Sequence, residues 1–339
     1  MEVHDEKLIR TWQDFQMSTM PELISSMNTC YILHALASSP LLERLRQGPS
    51  RAEVLLADTN QRLGSNLLHY LMIRGLVEEW DGRYGLTQKG EMLTSEVALA
   101  RLGFYLEAYG PVLLRVGDML NGRATYGKDV QRHSGPLARH SGTIFTKFYT
   151  PIVLAAMQTG DARRILDIGC GSGQLLIEAC LSNPDVSGIG LDIEPSAIEA
   201  AHEQVREYGL TNRLTFVVAD AFAPETWPDP CFGVDLITGI GVLHEQLRDG
   251  EDAVIDVLNQ YADILIGRRR LLIGEPEPYY DDRENDSDFF LVHVLTNQGL
   301  PIGRGSWLEI FERTRLACLR ILIRATAGPR MCFYDLAGK

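Results

Sequence analysis

The chain has no run of 18 apolar residues, so no membrane-spanning helix is expected. Its first residues, MEVHDEKLIR, lack a basic stretch followed by an apolar core, so no signal peptide is expected either. None of the six cysteines (Cys30, Cys170, Cys180, Cys231, Cys318 and Cys332) forms a C-x-x-C pair. Most lie in apolar runs, which points to buried thiols in a reducing, cytoplasmic setting. Positive charge is also scarce: 32 Lys and Arg stand against 45 Asp and Glu, a net charge of -13. Wide contact with the phosphates of DNA or RNA needs a basic face, so a nucleic-acid partner is not expected. A single buried Arg can still hold a small carboxylate. Internal repeats and low-complexity stretches are missing too. What remains is ordinary globular composition, 45% hydrophobic and 23% charged, over 339 residues, enough for two domains.

The most informative stretch is Ile165-Leu-Asp-Ile-Gly-Cys-Gly-Ser-Gly-Gln174. Apolar strand formers lead into Asp167 and three alternating glycines, Gly169, Gly171 and Gly173, with a helix expected over 175–181. This reads as a buried parallel strand, a tight loop and a helix. Glycine permits positive φ and lets a ligand lie against the main chain. The helix N-terminus behind the loop offers unpaired N–H groups. The dinucleotide frame G-x-G-x-x-G is not met, because Gln174 stands at its sixth position. Asp167 would repel a pyrophosphate and suits a ligand with a positive amine.

From Asp161 onward, strands and helices alternate as in a doubly wound parallel sheet. Strands are expected at 164–167, 186–192, 214–219, 234–240 and 270–274, with a closing pair at 317–324 and 330–335. The first three run into acids: Asp167, Asp192 and Asp220. Open parallel sheets bind ligands beyond those strand ends. Asp192, 23 residues after Gly169, can accept from both hydroxyls of a ribose.

Residues 1–96 have another texture. Helical spacing runs to about 48, with Pro40 closing the segment; then come helices at 51–57 and 64–74. Two β-like runs follow, split by Asp81-Gly82, a hairpin signal. Helix, helix, hairpin is the order of a winged helix. Between Pro49 and Glu91, five Lys and Arg meet six Asp and Glu, and the second helix is rich in Leu. That is a packing surface rather than a groove reader. The apolar faces of the N-terminal helices imply a dimer. Residues 97–160 read as a helical connector, with helices at 102–120 and 144–157 and a Gly-rich turn at 122–135.

The D-x-G-x-G-x-G run resembles the first motif of class I S-adenosylmethionine (SAM) methyltransferases. Over nearly its whole length the chain resembles small-molecule O-methyltransferases and their relatives. The resemblance implies an α/β protein: a mainly helical winged-helix dimerisation domain (1–96), a connector covering the active site (97–160), and a Rossmann-like doubly wound methyltransferase domain (161–339). It implies that Asp167, Gly169, Gly171, Gly173 and Asp192 hold SAM. Asp220 would then bond the adenine amine, with Ala221 and Phe222 flanking the ring. Arg123 and Arg132, in the connector, become candidates for holding an anionic substrate group.

The fourth strand leads into Gly239-Ile-Gly-Val-Leu-His-Glu-Gln-Leu-Arg-Asp249. O-methyltransferases carry His-Asp-Trp there, the His serving as general base. Here His244 matches, Glu245 replaces the Asp, and Gln246 stands where the Trp is missing. A second histidine, His293, falls on an apolar helix after strand five. It reads either as a satisfied core residue or as a partner of His244 across the pocket. The pairing resembles the α-keto acid C-methyltransferases, which make β-methylated precursors of unusual amino acids. That resemblance implies a metal held by His244 and His293, with zinc and iron both compatible with imidazole. A metal chelated by an α-keto acid would stabilise its enolate, whose β-carbon attacks the SAM methyl. Two protein nitrogens leave such a site open to substrate. Glu245 either takes the β-proton or orients the substrate. The expected activity is therefore β-C-methylation of an α-keto acid in antibiotic or other natural-product biosynthesis. The acidic run Asp281–Asp288 favours a cationic tail, as in 2-ketoarginine, over phenylpyruvate or branched keto acids. The alternative is metal-free O-methylation of a small phenol or hydroxy acid, with His244 as base.

Overall fold

The structure, a computed structural model, describes residues 5–159, 161–277, 287–323 and 330–339. The chain forms two compact units, Met1–Leu106 and Glu107–Lys339. The connector expected over 97–160 is divided between them.

The first unit contains α1 (Glu6–Met17), α2 (Met20–Ala37), α3 (Pro40–Arg46), β1 (Ser50–Arg51), α4 (Ala52–Leu55) and α5 (Gln61–Ile73). These are followed by β2 (Val77–Trp80), β3 (Arg83–Leu86), α6 (Gln88–Leu93) and α7 (Glu96–Gly103). Pro40 opens α3 rather than ending a helix, because proline lacks the N–H that a first-turn residue does not need. The hairpin turns at Asp81 and Gly82, both at positive φ, and β1 joins it to give an antiparallel sheet in the order β1-β3-β2. Leu42, Leu55, Leu68, Leu71 and Leu76 form its core, so the apolar side of α5 faces inward.

Broken helices run across residue 106 into the second unit. A single helix over 102–120 does not form. A π-helical turn (Phe104–Ala108), α8 (Gly110–Leu113) and α9 (Val116–Leu120) take its place. Pro111 removes a backbone donor and Gly110 weakens the helix beside it. Next come α10 (Ser134–Phe148) and α11 (Thr150–Thr159), parted at Tyr149 just before Pro151.

The sheet that carries the site is built from β4 (Arg164–Ile168), α12 (Gln174–Ser182), β5 (Ser187–Asp192), α13 (Pro195–Glu207), β6 (Leu214–Val218) and β7 (Leu236–Ile240). It continues through α14 (Glu251–Ile264), β8 (Arg270–Pro276), α15 (Ser287–Leu295), α16 (Arg304–Glu312), β9 (Leu316–Ile323) and β10 (Met331–Gly338). Seven strands lie in the order β6-β5-β4-β7-β8-β10-β9. The first five are parallel, and β10 runs antiparallel to both neighbours. Strand side chains alternate between two cores. Leu166, Ile168, Ile237, Leu271 and Ile273 pack with Leu258, Tyr261, Trp307 and Phe311 on one face. Ile165, Leu236 and Leu272 pack with Val153, Leu176 and Ile198 on the other. Burial on both faces is why these strands read as continuous apolar runs. Each fully buried Leu or Ile contributes about 1.5–3 kcal/mol. No helix among the described residues is long and apolar enough to cross a membrane.

Candidate active site

Strand order reverses between β4 and β7, the place where open α/β sheets bind ligands beyond the strand C-termini. Gly169, Gly171 and Gly173 follow β4 with φ of 65°, 54° and 78°. A methyl on Gly169 would strike Val242, and one on Gly173 would lie 2.5 Å from the Phe216 ring. Gly171 meets nothing within 4 Å, so its backbone borders open space. The loop is tied to β5: Cys170 N donates to Leu191 O at 2.9 Å, and Gly171 N to Asp192 Oδ2 at 2.8 Å.

Asp167 is buried at the end of β4, where Thr238 Oγ donates to its Oδ1 at 2.7 Å from the next strand. Burial pushes its carboxyl up to about 7, against the Thr238 bond; nearby Asp192 adds to the rise. Asp192 is raised as well, chiefly by burial. A cation placed between these two acids would remove much of that penalty. Asp220 follows β6 and is exposed, its Oδ1 accepting from Phe222 N at 2.9 Å. The Ala221 carbonyl accepts from Tyr261 Oη at 2.6 Å, which anchors the Asp220–Phe222 turn to α14.

Beyond β7 the chain turns at Gly241 (φ 68°) into a short helical turn, Leu243–Asp249, which buries His244. His244 Nδ1 lies 2.7 Å from Glu275 Oε2, near the end of β8. A carboxylate only accepts, so Nδ1 carries the proton and Nε2 points away from Glu275. His293, on α15, is buried too, and its Nδ1 donates to Phe289 O at 2.7 Å. Burial, helped by the neighbouring His244 ring, lowers the His293 pKa to about 4. His293 is thus neutral near pH 7, with its lone pair on Nε2. The two Nε2 atoms lie 3.3 Å apart. Two facing lone pairs repel; a cation between them, either a proton on His244 or a metal ion, resolves the contact. Two nitrogens bound to one tetrahedral ion at about 2.0–2.1 Å are about 3.3–3.4 Å apart, so the pair fits a shared metal. Both Nδ1–H groups are held by acceptors, as in histidine metal ligands. Among the described residues no group of three or more His, Cys, Asp or Glu could hold a metal, so the protein would supply two nitrogens.

The two arginines differ. Arg132 is partly buried: its Nη1 donates to Tyr109 Oη at 3.3 Å, and its Nη2 lies 3.5 Å from Glu245 Oε1. Gln298 Nε2 reaches the same Tyr109 oxygen at 3.5 Å. Arg123 is 64% exposed and pairs with Asp118, so it is not brought to this cluster. The acidic run at 281–286 lies outside the described residues.

Sequence reasoning passed over Glu275, Tyr109 and Gln298. Glu275 carried a usable signal, an acid at the end of an apolar strand, as Asp167 did. Tyr109 and Gln298 carried none.

Residues 160–261 match a family model described as a methyltransferase domain. An indolepyruvate C-methyltransferase from Streptomyces griseus is 29% identical over 263 residues, 75% of this chain and 74% of that one. A 2-ketoarginine methyltransferase from Streptomyces arginensis is 26% identical over 318 residues, 88% of this chain and 87% of that one. The solved structure of a mitomycin 7-O-methyltransferase superposes with a TM-score of 0.66 at 21% identity, covering 97% of this chain and 100% of that one. This last likeness is one of fold, which is O-methyltransferase-like.

Proposed function

We propose that this chain, a SAM-dependent methyltransferase, methylates the β-carbon of an α-keto acid, with His244 and His293 holding one metal ion. The observation that carries this reading is the pair of Nε2 atoms, 3.3 Å apart, each on a ring whose Nδ1–H is already bonded. The names of two relatives support it, because indolepyruvate and 2-ketoarginine are both α-keto acids. When bound, the ion, zinc or iron, supplies Lewis acidity toward a keto oxygen.

The chain's own groups do the rest. Asp167 receives the ammonium of SAM, and Asp192 accepts from the ribose hydroxyls. Asp220 accepts from the adenine amine, with Ala221 and Phe222 beside the ring. Gly169, Gly171 and Gly173 let the donor lie on the main chain. Arg132 binds the substrate carboxylate through charge-assisted hydrogen bonds. In turning to it, Arg132 leaves Glu245 free to take the β-proton. The C–H pair then forms the bond to the methyl carbon, and the S–C bond breaks to leave S-adenosylhomocysteine. The acids at 281–288 make 2-ketoarginine the first substrate to try, its product being a precursor of a β-methyl amino acid. The first unit serves as a winged-helix dimerisation module; the exposed Trp12, Leu23 and Met27 on its first two helices support that role.

The test is mass spectrometry and carbon NMR of products from SAM and a panel of keto acids. A methyl on carbon, lost after EDTA and desalting and restored by zinc or iron, is the expected result. A methyl on oxygen that EDTA does not affect would refute the reading. The 2.7 Å bond between His244 and Glu275 favours that second outcome as the alternative. A histidine backed by a carboxylate is a competent base for O-methylation of a phenol or hydroxy acid.

A further inference from the structure

His293 and His244 are 49 residues apart on different elements, yet their ring nitrogens lie 3.3 Å from each other. The turn that ends α15 accounts for this. Gln298 N donates to His293 O at 3.1 Å, and Asn297 N to Val294 O at 3.4 Å. These are the paired bonds of a Schellman cap, with Asn297 in the left-handed position at φ 50°. Thr296 Oγ donates to Val292 O at 2.7 Å, and Gln298 Nε2 to Thr296 Oγ at 2.7 Å. The turn then lays Gly299 on the backbone that carries His244. A methyl on Gly299 would overlap the His244 carbonyl oxygen. It would also stand 2.9 Å from Arg248 N and 3.0 Å from Glu245 O. All three are main-chain atoms of one short turn, so no flexible side chain can give way.

Building on the proposed metal role of the two imidazoles, we infer that Gly299 is the positioning residue that sets their spacing. Its missing side chain lets the α15 cap close on residues 243–249. His293 moves with that cap, because its own carbonyl accepts the Gln298 bond. Any side chain at 299 lifts the cap and draws the two nitrogens beyond the reach of one ion.

The test is a titration of the full chain with Co²⁺, followed by its visible spectrum, with S-adenosylhomocysteine affinity measured alongside. Gly299→Ala is expected to weaken Co²⁺ binding at least about tenfold, the range seen when support of a metal ligand is lost. Its S-adenosylhomocysteine affinity should stay within about twofold, a split that general loss of structure would not give. Gly303→Ala, where nothing lies within 4 Å, should match the wild type. Should Gly299→Ala not fold, the exposed Asn297 carries the test. Asn297→Gly keeps the left-handed cap and the Co²⁺ signal; Asn297→Val, β-branched, loses both. His293→Ala supplies the baseline. Unchanged Co²⁺ affinity in Gly299→Ala or Asn297→Val, with loss in His293→Ala, would discard the spacer and keep the metal role. Equal Co²⁺ binding by the wild type and His293→Ala would discard both.

Discussion

Glu275 holds His244 and its loop with one carboxylate. Oε2 bonds the ring at Nδ1 at 2.7 Å, while Oε1 accepts from Val242 N and Leu243 N at 3.2 and 2.8 Å. The group is fully buried, so no water can replace these bonds. Ring tautomer, ring direction and loop position therefore depend on a single side chain.

A glutamine at 275 has one carbonyl oxygen to serve both the loop and the ring, and its NH2 group cannot accept from Nδ1–H. On the proposed metal role of His244, Glu275→Gln should lower metal affinity and kcat about 10–100-fold. S-Adenosylhomocysteine affinity should be unchanged, as calorimetry would show. Glu275→Ala should also lose about 1–3 kcal/mol of stability in denaturant titration, because buried N–H groups lose their acceptor.

Donor binding should depend on pH through Asp167. Its folded-state pKa, pushed up to about 7, lies above the unfolded value. In the empty protein the group therefore lowers stability as pH rises from the unfolded value toward 7, and the full loss is present above 7. A ligand ammonium favours the carboxylate, so binding tightens over the same rise. S-Adenosylhomocysteine should bind roughly tenfold more weakly at pH 6 than on its plateau. Asp167→Asn should flatten that profile while weakening binding throughout.

Gly171 and Gly173 should respond differently to alanine. At Gly173 the methyl meets the Phe216 ring at 2.5 Å and φ is 78°, so stability and donor binding should both fall, by about 2 kcal/mol or more in stability. At Gly171 the space is open, and only the positive φ costs stability, about 1–2 kcal/mol. Its methyl projects into that open space, where the proposed donor site lies, so donor affinity should fall by more than the stability change explains. Thermal melts and calorimetry on both variants check this.

On the proposed role of Arg132, Arg132→Gln should raise the KM for the proposed keto acid about 10–100-fold, the worth of a charge-assisted hydrogen bond of about 1.5–3 kcal/mol. Donor affinity should not change. Arg123→Ala, which breaks only a surface pair with Asp118, should leave steady-state kinetics within about twofold of the wild type.

The placement of the three acids and the glycine run at the strand ends was open to reading from linear order. A parallel strand delivers its last residue to the same edge of the sheet whatever its neighbours are, so Asp167, Asp192 and Asp220 announced themselves by position. The glycine run did the same, because positive φ is a property of the residue itself. The strands came out close to their observed limits, since burial on both faces leaves an unbroken apolar run. The helices over 102–120 and 144–157 did not, because apolar spacing continued through Gly110 and Pro151 where the backbone could not.

The placement of the histidines, Glu275 and Arg132 depended on contacts between distant segments. Arg123 and Arg132 lie in one loop and look equivalent in the chain, but folding gives Arg123 to Asp118 and turns Arg132 toward Tyr109 and Glu245. His293 on an apolar face was equally compatible with a packed core residue. Its direction is set by the Phe289 carbonyl and by a cap that ends on the backbone of His244. No spacing rule links Glu275 to a histidine 31 residues earlier; two adjacent strands of the sheet do. Local conformation is written into each short stretch, whereas the meeting of two imidazoles depends on how separate stretches pack.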